Sequence, residues 1–238
     1  MSKNDYVLIT CEHGGNHIPY RYRKLFSGAE ALLQTHRGYD AGALAMAKDL
    51  AKFLGASLFV ATTSRLLVDL NRSIGHPRLY SDATRKAPVM VRREILQSHY
   101  LPYRNKVEAD IFAAIERGSR VIHIASHSFT PELGGVMRNA DIGLLYDPSR
   151  SEEAALCRHW QMQLKAGAPN LKVRRNYPYT GRSDGFTAYL RRSFHAKCYV
   201  GIELEINQNK ILDGGRRWRA LRLGVIDALG RAMTNFSA

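Results

Sequence analysis

Cysteine is scarce in this chain: Cys11, Cys157 and Cys198 are odd in number, widely separated and without a Cys-x-x-Cys pair. That argues against a disulfide framework or a cysteine-based zinc site and points to a reducing, cytoplasmic setting. Long apolar runs are missing too. Stretches such as Val7 to Thr10 or Tyr199 to Ile202 fall far short of the ~18 residues that a membrane-spanning helix needs, so no membrane association is expected. The apolar stretch after Asp5 is too short for a secretory h-region and reads as a first strand. No repeat or low-complexity linker interrupts the sequence.

Acidic residues are in deficit, with 21 Asp and Glu against 35 Lys and Arg, a formal charge of +14. Such an excess suits a nucleic-acid binder or an enzyme with anionic substrates. The basic residues are dispersed in short pairs (Arg92-Arg93, Arg174-Arg175, Arg191-Arg192, Arg216-Arg217), with no lysine-rich tail and no recognised binding module. Specific nucleic-acid binding is therefore not expected, and a small anionic substrate is.

What the chain does have is material for one packed core, with 45% hydrophobic content in 238 residues and a mean hydropathy of -0.30. Residues 1–238 read as a single domain. Apolar segments rich in β-branched residues predict strands at Tyr6 to Thr10, Ser57 to Thr62, Arg120 to Ala125 and Lys197 to Ile206, with weaker candidates at Ile142 to Tyr146 and Leu171 to Arg174. Helical patterns fall between them: Ala41 to Leu54 with Gly55 as its stop, Val89 to Arg117 broken or kinked into two pieces near Tyr100 by Pro102, Ser151 to Lys165, and a basic helix from Arg216 to Ala232. Alternating strands and helices imply an α/β fold, a mostly parallel sheet flanked by helices.

Ligands of open α/β sheets bind beyond the carboxyl ends of the strands, which directs attention to the polar residues there. They are Glu12-His13-Gly14-Gly15-Asn16 after the first strand, Ser64-Arg65 and Asp69-Leu70-Asn71-Arg72 after the second, Ser126-His127-Ser128 after the third, and Glu203-Leu204-Glu205 in the fourth. Two imidazoles and a carboxylate are the donor types of a hydrolytic zinc site, and a further carboxylate can serve as general base. Glu203 and Glu205 point the same way from an alternating strand, and Glu205, nearer the carboxyl edge, is the better base candidate. Each residue also has a plainer reading: a turn for His13, a satisfied core histidine for His127, helix capping for Asp40, and pairing with Asp69 for Arg65 and Arg72. Paired guanidiniums beside a metal equally suit bidentate binding of a substrate carboxylate.

These segments, with His36-Arg37-Gly38-Tyr39-Asp40-Ala41-Gly42, Tyr100-Leu101-Pro102-Tyr103, Pro178-Tyr179-Thr180-Gly181 and Asp184-Gly185, resemble the N-formylglutamate amidohydrolase family from Val7 to about Leu212, and more distantly the aspartoacylase and zinc carboxypeptidase hydrolases. The resemblance implies a phosphorylase/hydrolase-like, zinc carboxypeptidase-like sandwich and hydrolysis of an N-acyl, formyl-type amide of an acidic amino acid such as N-formylglutamate. It departs from the carboxypeptidase His-x-x-Glu pattern, because Asn16 stands three residues after His13. The implied site is therefore one Zn²⁺ on His13, Asp40 and His127, with Glu12 and His36 as fallback ligands. Glu205 is the implied general base and Arg65 the oxyanion donor. Asn71, Arg72, Tyr179, Gly181 and Asp184 are the implied substrate-binding residues. The alternatives are a carboxypeptidase-like or cell-wall peptide amidase with the same metal site, separable by a substrate panel, and a noncatalytic binder of an anionic metabolite, which would bind without turnover.

Overall fold

The computed structural model describes residues 5–212 and 214–236. Six strands form the main sheet: β1 (Asp5–Cys11), β2 (Ser57–Val60), β3 (Arg120–Phe129), β6 (Ile142–Leu145), β7 (Val173–Arg175) and β8 (Tyr199–Asn207), in the order β2-β1-β3-β8-β6-β7. Two short strands, β4 (Glu132–Leu133) and β5 (Val136–Met137), make a separate hairpin. Within the main sheet β6 runs antiparallel to β8 and the other pairings are parallel.

Helices cover both faces. On one side α1 (Ala43–Leu54), α4 (Ser151–Gly167) and α6 (Gly215–Phe236) pack through Met46, Trp160 and Val225 against Ile9, Ile124 and Ile202. On the other, α3 (Leu101–Glu116) and α5 (Phe186–Ser193) bring Ile111 and Phe186 onto Leu8 and Tyr199. A third cluster, around Tyr22, Phe26, Leu67 and Ile95, supports the loops beside the site. Among the described residues no helix is long and apolar enough to cross a membrane.

Three departures from the sequence reading shape the site. First, β3 continues four residues beyond Ala125, so His127 lies inside the strand and not after it. Its polar residues tolerate burial because the turn before α1 satisfies them: Ser126 Oγ donates to Ala43 O (2.9 Å) and Ser128 Oγ to Ala41 O (2.7 Å). Second, α1 starts at Ala43, after Gly42 in the left-handed region at φ 77°, where a Cβ would also strike Ile211. Asp40 is therefore not the helix cap, and its carboxylate is available elsewhere. Third, the interruption expected near Tyr100 is present, but as a π turn ahead of Pro102 and not as a break at the proline. The segment α2 (Val89–Ile95) passes through a π turn, Leu96–Tyr100, into α3, whose first turn takes the proline where its missing N–H costs nothing.

Candidate metal centre and active site

Three segments that follow β1 or β2, around His13, Asp40 and Arg65, are laced together by their backbones. Asp40 N donates to His13 O (2.9 Å), Arg65 N to Gly38 O (3.2 Å) and Gly14 N to Ala61 O (2.9 Å). Gly15 runs so close to the next loop that a Cβ would lie 2.5 Å from Thr62 O. Glycine here serves a close backbone approach that carries His13 over the sheet edge.

The side chains converge on Asp40. Its Oδ2 lies 3.3 Å from His13 Nδ1 and 2.9 Å from His127 Nδ1, and the two rings are 5.2 Å apart. The far edge of each ring meets another buried carboxylate. His13 Nε2 is 2.7 Å from Asp69 Oδ1, and His127 Nε2 is 3.1 Å from Glu12 Oε2, close enough to pair electrically although not aligned as a hydrogen bond. Arg65 closes the cluster by donating to Asp40 Oδ1 (3.3 Å) and Asp69 Oδ2 (2.8 Å).

These neighbours set the charges. Burial would raise the carboxyl of Asp40, but His13, His127 and Arg65 hold it far below the usual range, and Arg65 and His13 do the same for Asp69. Glu12, also opposed by burial, is drawn down to about 2, chiefly by His127. Burial works against a charged His127, yet Asp40 and Glu12 on either side push it well above its ordinary value.

The donor chemistry fits a metal ion. His13, Asp40 and His127 are all buried and each offers a ligand atom within 4.8 Å of the others. Two imidazoles and one carboxylate are a common zinc set that leaves a coordination position open. Carboxylates on the outer ring edges are the usual partners that orient metal-ligating histidines. Glu12 stands behind His127 as such a partner, and His36 lies exposed on the cavity wall, outside the cluster.

Glu205 occupies the β8 position paired with His127 on β3. It is buried, and its Oε2 has no hydrogen-bond partner. Burial pushes its carboxyl up to about 8, a rise that His127 opposes and that Asp40 and Glu203 reinforce. Glu203 is engaged with the Thr187 hydroxyl, which leaves Glu205 as the unengaged acid of the pair. Both acids and the cluster line one open cavity of about 760 Å³.

The remaining expected site residues divide. Arg65, Asn71, Arg72, Tyr179 and Asp184 line this cavity. Asn71 Oδ1 accepts from Phe186 N (2.6 Å) and so holds the start of α5. Arg72 donates to the Asp184 backbone oxygen, and its Nε is buried without a partner. Asp184 uses its carboxylate as a latch, accepting from Ser73 N (3.0 Å) and Ser73 Oγ (2.5 Å). Tyr179 lies half-exposed beneath the Arg138 guanidinium, 4.9 Å from its ring centre.

Gly181 is not on this cavity. Its backbone presses against Tyr146, where a Cβ would lie 2.3 Å from Tyr146 N, and its carbonyl accepts from Arg191 (2.6 Å). Its glycine answers to packing within the protein, and Gly181, which the resemblance implies as substrate-binding, does not line this cavity. Asp69 is the contact that sequence reasoning missed. It reads there only as a partner for arginine, and no local pattern announces that the segment folds behind His13.

A mostly parallel α/β sandwich carrying a buried histidine–carboxylate cluster with a separate acid beside it belongs to the class of hydrolytic enzymes. Residues 6–212 match the family profile described as N-formylglutamate amidohydrolase, and the chain belongs to that family. It is a hydrolase acting on amide bonds. Among solved structures it is similar to the gene product Atu2144 from Agrobacterium tumefaciens, with 30% identity and a TM-score of 0.84 over 99% of this chain and 93% of that one. It shares the fold of the N-formylglutamate amidohydrolase from Ralstonia eutropha JMP134, with 17% identity and a TM-score of 0.70 over 98% of this chain and 95% of that one. No curated protein matches the chain significantly.

Proposed function

We propose that this protein is a zinc-dependent amidohydrolase that removes a formyl-type acyl group from the nitrogen of an acidic amino acid, N-formylglutamate being the simplest such substrate. The observation that carries the reading is Glu205, a buried acid with a free oxygen beside a cluster of metal-ligand type. His13, Asp40 and His127 would hold the ion. When bound, a divalent ion supplies Lewis acidity that polarises the amide carbonyl, acidifies water and favours the ionised form of Glu205.

Glu205 accepts the proton of the attacking water at Oε2 and returns it to the departing nitrogen. Arg65 keeps N–H donors beyond the two directed at Asp40 and Asp69, and these stabilise the negative charge that develops on the carbonyl oxygen. Arg72 and Asn71, both on the cavity wall, are the donors for the substrate carboxylate. Asp69 and Glu12 hold the two imidazole rings in place.

The test is formate release from N-formylglutamate by zinc-loaded protein, with a chelator-treated sample beside it. Release that stops on chelation and returns with zinc is the expected result. Equal release from metal-replete and chelated protein removes the metal, and tight binding of the substrate with no release favours the noncatalytic alternative.

A further inference from the structure

Beside the cluster Arg65 lies against Asp40 and Asp69, and Arg72 donates to the Asp184 carbonyl. On the outer wall Arg85 is paired with Asp82 at 2.5 Å, but Arg37 and Arg78 have no ion-pair or hydrogen-bond partner for their guanidiniums among the described residues. Both are exposed cations on the wall of a concave site, which raises the local concentration of anions and favours a ligand that brings its own negative charge.

The volume gives a second, independent indication. N-formylglutamate has about a dozen non-hydrogen atoms, and even at the ~30 Å³ that liquid water allots each molecule it would take roughly 360 Å³. The cavity measures about 760 Å³, so half of it lies beyond such a substrate. The cavity wall carries Leu133 on the β4–β5 hairpin, Tyr80 and Tyr179, together with the unpaired Arg37 and Arg78.

The geometry points to an outer anion subsite at Arg37 and Arg78, and hence to an N-acylated acidic peptide, longer than a single amino acid, as the substrate class. This rests on the proposed hydrolase for the position of the bond that is cut. The acyl C–N bond breaks at the cluster, the water oxygen bonds to the carbonyl carbon, and a water proton goes to the leaving nitrogen. The products are formate and a free peptide whose second carboxylate lies at the arginines.

Binding tests the subsite separately from turnover. Calorimetric titrations of zinc-loaded protein with glutamate, Glu-Glu and Glu-Lys are compared with those of Arg37→Ala/Arg78→Ala, and formate release is measured from N-formylglutamate and N-formyl-Glu-Glu. Glu-Glu should bind about tenfold more tightly than glutamate or Glu-Lys, and the double substitution should bring that ratio to about one. Equal affinities, or a ratio that survives the substitution, overturn the subsite. If the ratio behaves as expected while neither formyl compound is hydrolysed, the subsite stands and the hydrolase reading falls.

Discussion

Asp69 Oδ1 lies 2.7 Å from His13 Nε2, on the opposite edge of the ring from Asp40. The imidazole is thereby held between two carboxylates, one from each of two different loops. The second one, in a segment that the sequence singles out for Asn71 and Arg72, reads there only as an arginine partner.

Replacing that support has a measurable consequence. Asp69→Asn removes the negative charge behind the ring and should weaken zinc affinity by about 10–100-fold, measured by competition with a chelator of known affinity. Circular dichroism on the same samples checks the fold. Wild-type zinc affinity in a folded variant means that Asp69 serves Arg65 alone.

Glu205→Gln keeps the side chain's shape and removes its ability to take a proton. Turnover should fall by ~10²–10⁴ in zinc-replete protein. A folded variant that hydrolyses N-formylglutamate at the wild-type rate would eliminate Glu205 as the base.

His123, on the same strand as His127, offers a pH test. It is buried between Thr10 Oγ1 (2.8 Å) and Tyr199 OH (2.7 Å), and burial lowers its value from 6.5 to about 4. A depressed folded-state value means that the unfolded chain takes up the proton first. The stabilisation is therefore complete above about 6.5 and is lost as pH falls toward 4. Urea melts should show His123 contributing a loss of about 3 kcal/mol across that window. His123→Gln should start less stable at pH 7 and decline less steeply on acidification. Parallel decline of both proteins contradicts the assignment.

Gly181→Ala places a methyl group where the Tyr146 backbone lies, 2.3 Å from its nitrogen. The loop carrying Tyr179 must shift or the packing must open, at a cost of about 3 kcal/mol. Calorimetry should register a lowered Tm. An unchanged Tm shows that the loop adjusts freely and that glycine is not required there.

Much of the architecture is legible in local pattern. The apolar stretches at Tyr6, Arg120 and Tyr199 are strands because continuous β-branched runs bury both faces, and the helices between them are recognisable by their apolar stripes. The two-residue strands of the β4–β5 hairpin and the eight-residue helix α5 are too short to stand out, and the stretch of β3 beyond Ala125 looks polar enough to be loop. It is a strand because it keeps its pairing with β8 as far as Phe129, and Ala41 and Ala43 accept from the hydroxyls that this buries.

By itself the sequence determined the alternation of strands and helices, the excess of positive charge and the presence of histidines and acids near the carboxyl ends of the strands, since each is a property of neighbours along the chain. Only the tertiary structure decided which oxygen of Asp40 meets the two rings, that Asp69 and Glu12 stand behind them, that Glu205 is left unpartnered, and that Gly181 faces Tyr146 away from the cavity. Those outcomes depend on how loops tens of residues apart are tied by their backbones, and a left-handed glycine that moves a helix start by two residues redirects a carboxylate from capping to the centre of the site.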